Sequence, residues 1–166
     1  MSAPSCRWTP IGPIALREGT DNPALSITSG RVTAIAPHPT DANVVCVGTA
    51  GGGAWETRDG GLTWRPLGDR FPAPGVGAIA IDPSKPDRIY VGTGEANLTP
   101  MQFEGEGLLV REDATSPWQT VALPGNPTHF SAIIVHSTGD RVFLATSAGL
   151  IERTRSGATW TNTLVT

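Results

Sequence analysis

The feature that most constrains this chain is an internal repeat. Val32-Thr33-Ala34-Ile35-Ala36-Pro37-His38-Pro39, running on to Val47-Gly48-Thr49, returns at a shift of 44 residues, Val32 to Val76. The second copy reads Val76-Gly77-Ala78-Ile79-Ala80-Ile81-Asp82-Pro83 and runs on to Val91-Gly92-Thr93 without a gap. A weaker third copy is Phe130-Ser131-Ala132-Ile133-Ile134-Val135-His136, then Val142-Phe143-Leu144-Ala145-Thr146, with one residue deleted between. Self-similarity of this kind means stacked copies of one supersecondary unit.

A period of about 40–45 residues made of short strands is the signature of β-propeller blades. Each copy carries four strand signals, A to D. In the first, A is Val32 to Ala36, B is Val44 to Thr49, C is Ala54 to Arg58 and D is Thr63 to Pro66. The second predicts Val76–Ala80, Arg88–Thr93, Gly107–Arg111 and Trp118–Ala122; the third, Ser131–Val135, Arg141–Thr146, Gly149–Arg153 and Thr159–Leu164. Trp8-Thr9-Pro10-Ile11-Gly12 matches Trp64-Arg65-Pro66-Leu67-Gly68, so a lone outer strand is expected over 7–13. The expected fold is an all-β propeller segment of three four-stranded antiparallel blades, about 30–68, 76–123 and 129–166, behind that leading strand. Closed propellers use roughly 4–8 blades. Three copies fall short, which predicts an incomplete propeller, completed by further blades of a longer chain or by self-association.

Composition agrees. The 166 residues include 20 Gly and 15 Pro with no collagen-like period, as many short strands and turns require. A net charge of −3 points to neither nucleic acid nor a membrane surface. No apolar run approaches the ~20 residues that span a bilayer. The N-terminus lacks the basic and apolar regions of a signal peptide. Of the two cysteines, Cys46 sits in an apolar run, as a buried thiol does, though a pairing with Cys6 stays open. His38, His129 and His136 are scattered, so no metal site is expected, and no cofactor either.

Between strands C and D of the first copy lies Thr57-Arg58-Asp59-Gly60-Gly61-Leu62-Thr63-Trp64. Asp59 is placed to accept hydrogen bonds from the groups just after it and so close a tight turn. Glycine supplies the positive φ such a turn needs. Trp64 offers a large ring for a neighbouring blade to bury. The second copy keeps Asp113 and Trp118 but lacks the glycine; the third keeps Gly157, Thr159 and Trp160, with Arg155 at the Asp position. Thr57, Asp59, Gly61, Thr63, Trp64, Asp113, Trp118, Gly157 and Trp160 are therefore structural candidates, with Trp64 and Trp160 expected between blades.

The S/T-x-D-x-G-x-T-W pattern at Thr57–Trp64 resembles the Asp-box, and over about residues 7–166 the chain resembles bacterial BNR/Asp-box repeat proteins. These include sialidases, endo-xyloglucanases, sortilin-type receptor domains and photosystem II assembly factors. The resemblance implies a fold that hosts unrelated activities, and a secreted or cell-envelope setting. It also implies that ligands meet the face carrying the D–A and B–C loops. On those loops Asp69, Arg70, Asn97 and His129 are ligand-face candidates. Glu95, Glu104 and Glu106 are the one carboxylate group on a single loop. Two carboxylates can divide acid and base roles in glycoside cleavage; solvated loop charges are the plainer reading. His129 lacks a nucleophile at a readable spacing, and Gly51-Gly52-Gly53 lacks the Lys-Ser/Thr of a phosphate cradle.

Residue tests disfavour the enzymatic relatives. A sialidase needs a Tyr–Glu nucleophile pair, and the single tyrosine, Tyr90, occupies the strand-B position of Cys46. Where endo-xyloglucanases carry a catalytic Asp in the first-blade loop, Ala50 stands here, and Gly94 in the next copy. The expected function is a non-catalytic module that binds a protein or carbohydrate, or serves as scaffold. The alternative is part of a glycoside hydrolase.

Overall fold

In the computed structural model, described over residues 31–68, 75–95 and 104–165, the repeat becomes three four-stranded sheets. The first is β1 (Val32–Pro37), β2 (Val45–Thr49), β3 (Ala54–Thr57) and β4 (Arg65–Pro66). The second is β5 (Val76–Ile81), β6 (Ile89–Thr93), β7 (Leu108–Arg111) and β8 (Gln119–Val121). The third is β9 (Phe130–Val135), β10 (Arg141–Thr146), β11 (Gly149–Ser156) and β12 (Thr159–Val165). In each sheet the strands lie in chain order and every neighbouring pair is antiparallel. This is the meander of a propeller blade, three times over. The leading strand expected over 7–13 lies outside the described residues, as does Cys6. No helix among the described residues is long and apolar enough to cross a membrane.

Identical registers show why the repeat matters. Ile35 faces Val47, Ile79 faces Val91 and Ile133 faces Leu144 across the first two strands of each blade. One residue bulges at the start of each first strand: Thr33, Gly77 and Ser131. The threonine ending each second strand bonds back to a glycine at the entry to the third. Thr49 donates its hydroxyl to the Gly53 carbonyl at 2.9 Å, Thr93 to Gly107 at 2.7 Å and Thr146 to Gly149 at 2.8 Å.

Period-2 alternation sends successive side chains to opposite faces, and both faces of the middle blade are covered. Ile79, Ile81, Ile89, Val91 and Leu109 pack with Ala36, Cys46 and Ala54 of the first blade. Ala80, Tyr90, Leu108 and Val110 pack with Phe130, Ile133, Val142, Leu144 and Ile151 of the third. Cys46 is a free, fully buried thiol, and burial, then the nearby Glu56 carboxylate, push its pKa up to about 12.

The turns between the first and second strands share a device. Asp82 accepts the Ser84 and Lys85 N–H groups at 2.8 and 3.3 Å. In the same repeat position, His38 Nδ1 accepts the Thr40 and Asp41 N–H groups at 3.2 and 3.0 Å, and His136 Nδ1 accepts that of Thr138 at 3.3 Å. Two of the three histidines are therefore turn caps.

The turn at Asp59 forms as its chemistry demands. Its carboxylate accepts the Thr63 N–H at 2.8 Å, the Thr63 hydroxyl at 2.6 Å and the Thr57 hydroxyl at 2.8 Å. Those bonds, from Thr63 first, hold the Asp59 pKa below its ordinary value. Capturing Thr63 keeps it out of the sheet, so β4 begins only at Arg65, later than expected. Asp113 does the same one residue tighter, accepting the Ser116 hydroxyl and N–H at 2.7 and 2.8 Å. Where Arg155 replaces the aspartate no carboxylate captures the chain; the guanidinium instead donates to Gly157 O at 2.8 Å. The ladder runs on to Ser156 opposite Thr159, with Gly157 at φ 61°, and β11 and β12 are longer than expected.

One expectation is corrected. Trp64 is not buried between blades; it is 43% exposed. The physical reason is directional. Trp118 of the second blade donates its indole N–H to Leu67 O of the first at 2.9 Å, and Trp160 of the third packs, partly buried, against the core shared with the second. Each tryptophan packs on the blade before its own, and no described blade precedes that of Trp64.

Candidate functional site

The loops that could meet a ligand converge beside the end of β6. Gly94 N–H donates to Gly75 O at 2.8 Å, and Gly105 N–H donates to Thr128 O at 2.8 Å. Glu106 N–H donates to the Thr93 hydroxyl at 2.8 Å. The approach is too close for side chains. A Cβ on Gly94, which has φ +82°, would lie 1.9 Å from Thr128 O; one on Gly77 would lie 2.1 Å from Phe130 O. Glycine is thus required for these backbones to touch. A second tie comes from the third blade: Ser147 Oγ accepts the Thr128 N–H at 3.1 Å.

Against this knot lies a cavity of about 360 Å³, lined by residues 105–107, 120–123 and 126–128. Glu106, Thr120, Asn126 and Thr128 give it polar groups, and Val121, Leu123 and Pro127 an apolar wall. Asn126 holds a positive φ of 43°, the left-handed conformation that asparagine tolerates better than most residues.

The candidate carboxylates do not share one environment. Glu95 is 1% exposed, whereas Glu104 and Glu106 are exposed. Only Glu106 of the three lines the cavity. His129 is half-buried; its Nδ1 lies 3.0 Å from the Thr128 hydroxyl, while its Nε2 is buried without a hydrogen-bond partner among the described residues. Asp69, Arg70 and Asn97 lie outside the described residues. Among those described, no group of three or more His, Cys, Asp or Glu could hold a metal ion.

The strongest polar cluster was not legible in any motif. Between the second and third blades Arg88 donates to Asp82 Oδ2 and Glu112 Oε2, both at 2.8 Å. Arg153 lies 4.5 Å from the centre of the Trp160 ring and donates to Asn162 Oδ1 at 3.0 Å. Asn162 in turn donates to Ala122 O at 2.9 Å, crossing back to the second blade. Tyr90 is fully buried nearby, and burial pushes its pKa up to about 12. Arg88, Asp82, Arg153 and Tyr90 are buried and the Asn162 bond crosses the blade boundary, so the cluster acts as an inter-blade latch.

Comparison with known proteins agrees with the fold. No family model matches the chain. An oligoxyloglucan-reducing end-specific xyloglucanase from Emericella nidulans is 27% identical over 108 residues, 62% of this chain and 13% of that protein. A xyloglucanase from a Paenibacillus species is 31% identical over 147 residues, 79% of this chain and 14% of that protein. The chain therefore spans about a seventh of these relatives. Among solved structures, the GH74 enzyme of Niastella koreensis superposes with a TM-score of 0.60 at 18% identity, over 78% of this chain and 21% of that one. YCF48 bound to a D1 peptide superposes with a TM-score of 0.55 at 17% identity, over 81% of this chain and 41% of that one. At those identities the likeness is one of fold: all-β, in three propeller-type blades.

Proposed function

We propose that the chain is a non-catalytic propeller module that binds a carbohydrate chain of the xyloglucan type on its loop face. The observation that carries this reading is the separation of the carboxylates. Glycoside cleavage requires two carboxyl groups facing one bond, about 5–10 Å apart. Here Glu95 is buried, Glu104 and Glu106 are exposed, and the cavity is lined by Glu106 alone of the three. The cavity itself suits a sugar, with hydroxyl, amide and carboxylate groups beside an apolar wall. Two xyloglucanases among the relatives favour that ligand class.

The same relatives favour a second reading: the chain supplies blades to a glycoside hydrolase whose acid and base stand elsewhere. Titration of xyloglucan oligosaccharides into isotopically labelled protein separates binding from silence. Amide shifts are expected at 105–107 and 120–128. Shifts confined to other surfaces, or none, reject binding at this cavity.

A further inference from the structure

The two outer flanks of the blade stack carry the same residues that are buried inside it. Val76, Ile79 and Trp118 lie on the face of the second blade that packs on the first. Phe130, Ile133 and Trp160 repeat this on the third blade. Their counterparts in the first blade are Val32, Ile35 and Trp64, which are 50%, 66% and 43% exposed. The opposite face behaves alike. Ala80, Tyr90 and Leu108 receive the third blade. Their counterparts in the third blade are Ile134, Phe143 and Leu150, of which Ile134 and Leu150 are 64% and 43% exposed. A large apolar patch of this kind marks an interaction surface.

The flanks are not copies of each other; they are the two halves of the interface already formed twice in the chain. The polar groups match too. Arg88, buried where the second and third blades meet, lies 5.9 Å from the Trp160 ring. Its counterpart Arg141 sits on the open flank, donating to Glu152 and stacked 5.3 Å over Phe143. That guanidinium is placed to meet an incoming Trp64 as Arg88 meets Trp160.

We propose that a second copy of this chain docks head to tail, seating its Val32–Ile35–Trp64 flank on the Ile134–Phe143–Leu150 flank, and that two copies close as a pair. The described residues of each copy form three blades. A pair therefore holds six, inside the roughly 4–8 of closed propellers. The contact is heterologous, since different patches meet, and it stays finite only because the ring closes.

Sedimentation velocity of the full chain and two surface variants tests this. The unaltered chain should form a reversible dimer at micromolar concentration. Ile35→Asp spoils one flank and Leu150→Asp the other, so each variant alone should be monomeric. Both positions are exposed, so each variant should keep the unaltered far-ultraviolet spectrum and melting transition. Mixed together, the two variants retain one sound interface and should give a one-to-one heterodimer. A monomeric unaltered chain, a polymer growing without limit, single variants that still associate, or a mixture that stays monomeric would each overturn the proposal.

Discussion

The Arg153 guanidinium lies 4.5 Å from the centre of the Trp160 ring, and both side chains stand against the second blade. Arg153 is 6% exposed and donates to Asn162, which anchors to Ala122 across the blade boundary. Arg153→Ala removes the stacking, the long buried stem and the Asn162 anchor together. We expect it to lose about 2–4 kcal/mol of unfolding free energy in urea titration. Arg153→Lys should recover part of that loss. A midpoint unchanged by either variant would dismiss the latch.

Tyr90 makes the opposite prediction. Its hydroxyl is buried without a hydrogen-bond partner among the described residues. A buried polar group left unpaired costs roughly 1–3 kcal/mol. Tyr90→Phe deletes that group and keeps the ring, so the melting temperature should hold or rise. A fall of several degrees would mean that the hydroxyl is paired through water.

Gly94 and Gly53 share a positive φ, +82° and +73°, but not surroundings. A Cβ at Gly53 meets nothing within 4 Å. Gly53→Ala should therefore cost about 1–2 kcal/mol, the conformational term alone. Gly94→Ala adds a backbone collision and should cost at least ~3 kcal/mol or prevent folding. Equal melting temperatures for the two variants would refute the loop knot.

Glu56 sets an acid limit. It is 1% exposed. Burial acts to raise its pKa, but hydrogen bonds from Arg58 and Arg65 outweigh that and hold it below the ordinary 4.5. A depressed native pKa gives stability that is present above the unfolded value and is lost as pH falls through the native one. Unfolding free energy should therefore drop below about pH 4.5, and the Glu56→Gln variant should drop less over the same range. Parallel curves for the two proteins would contradict the assignment.

The blades were legible because period, register and turn chemistry agree in each copy. Val32 with Val76, and Thr49 with Thr93, mark the same strand ends. The cap shared by His38, Asp82 and His136 stood in the aligned columns and needed only the question of what a turn lacks. Trp64 misled because its chemistry matches Trp118 and Trp160; only the direction of packing separates them. The Arg153–Trp160–Asn162 latch and the Gly94–Thr128 knot join segments from different blades. No spacing along one strand encodes which faces will meet, so neither was visible before the fold. The carboxylates of one loop likewise shared sequence proximity but not burial.

Binding without cleavage is open to direct measurement on xyloglucan itself. Xyloglucan is cast into a native gel for mobility and incubated with the purified chain for release of reducing ends. Migration should be retarded in the polysaccharide gel and restored by Asn126→Gly, which keeps the positive φ but removes the amide from the cavity. No reducing ends above the protein-free control are expected. Steady release of reducing ends, abolished by Glu106→Gln, would contradict binding without cleavage.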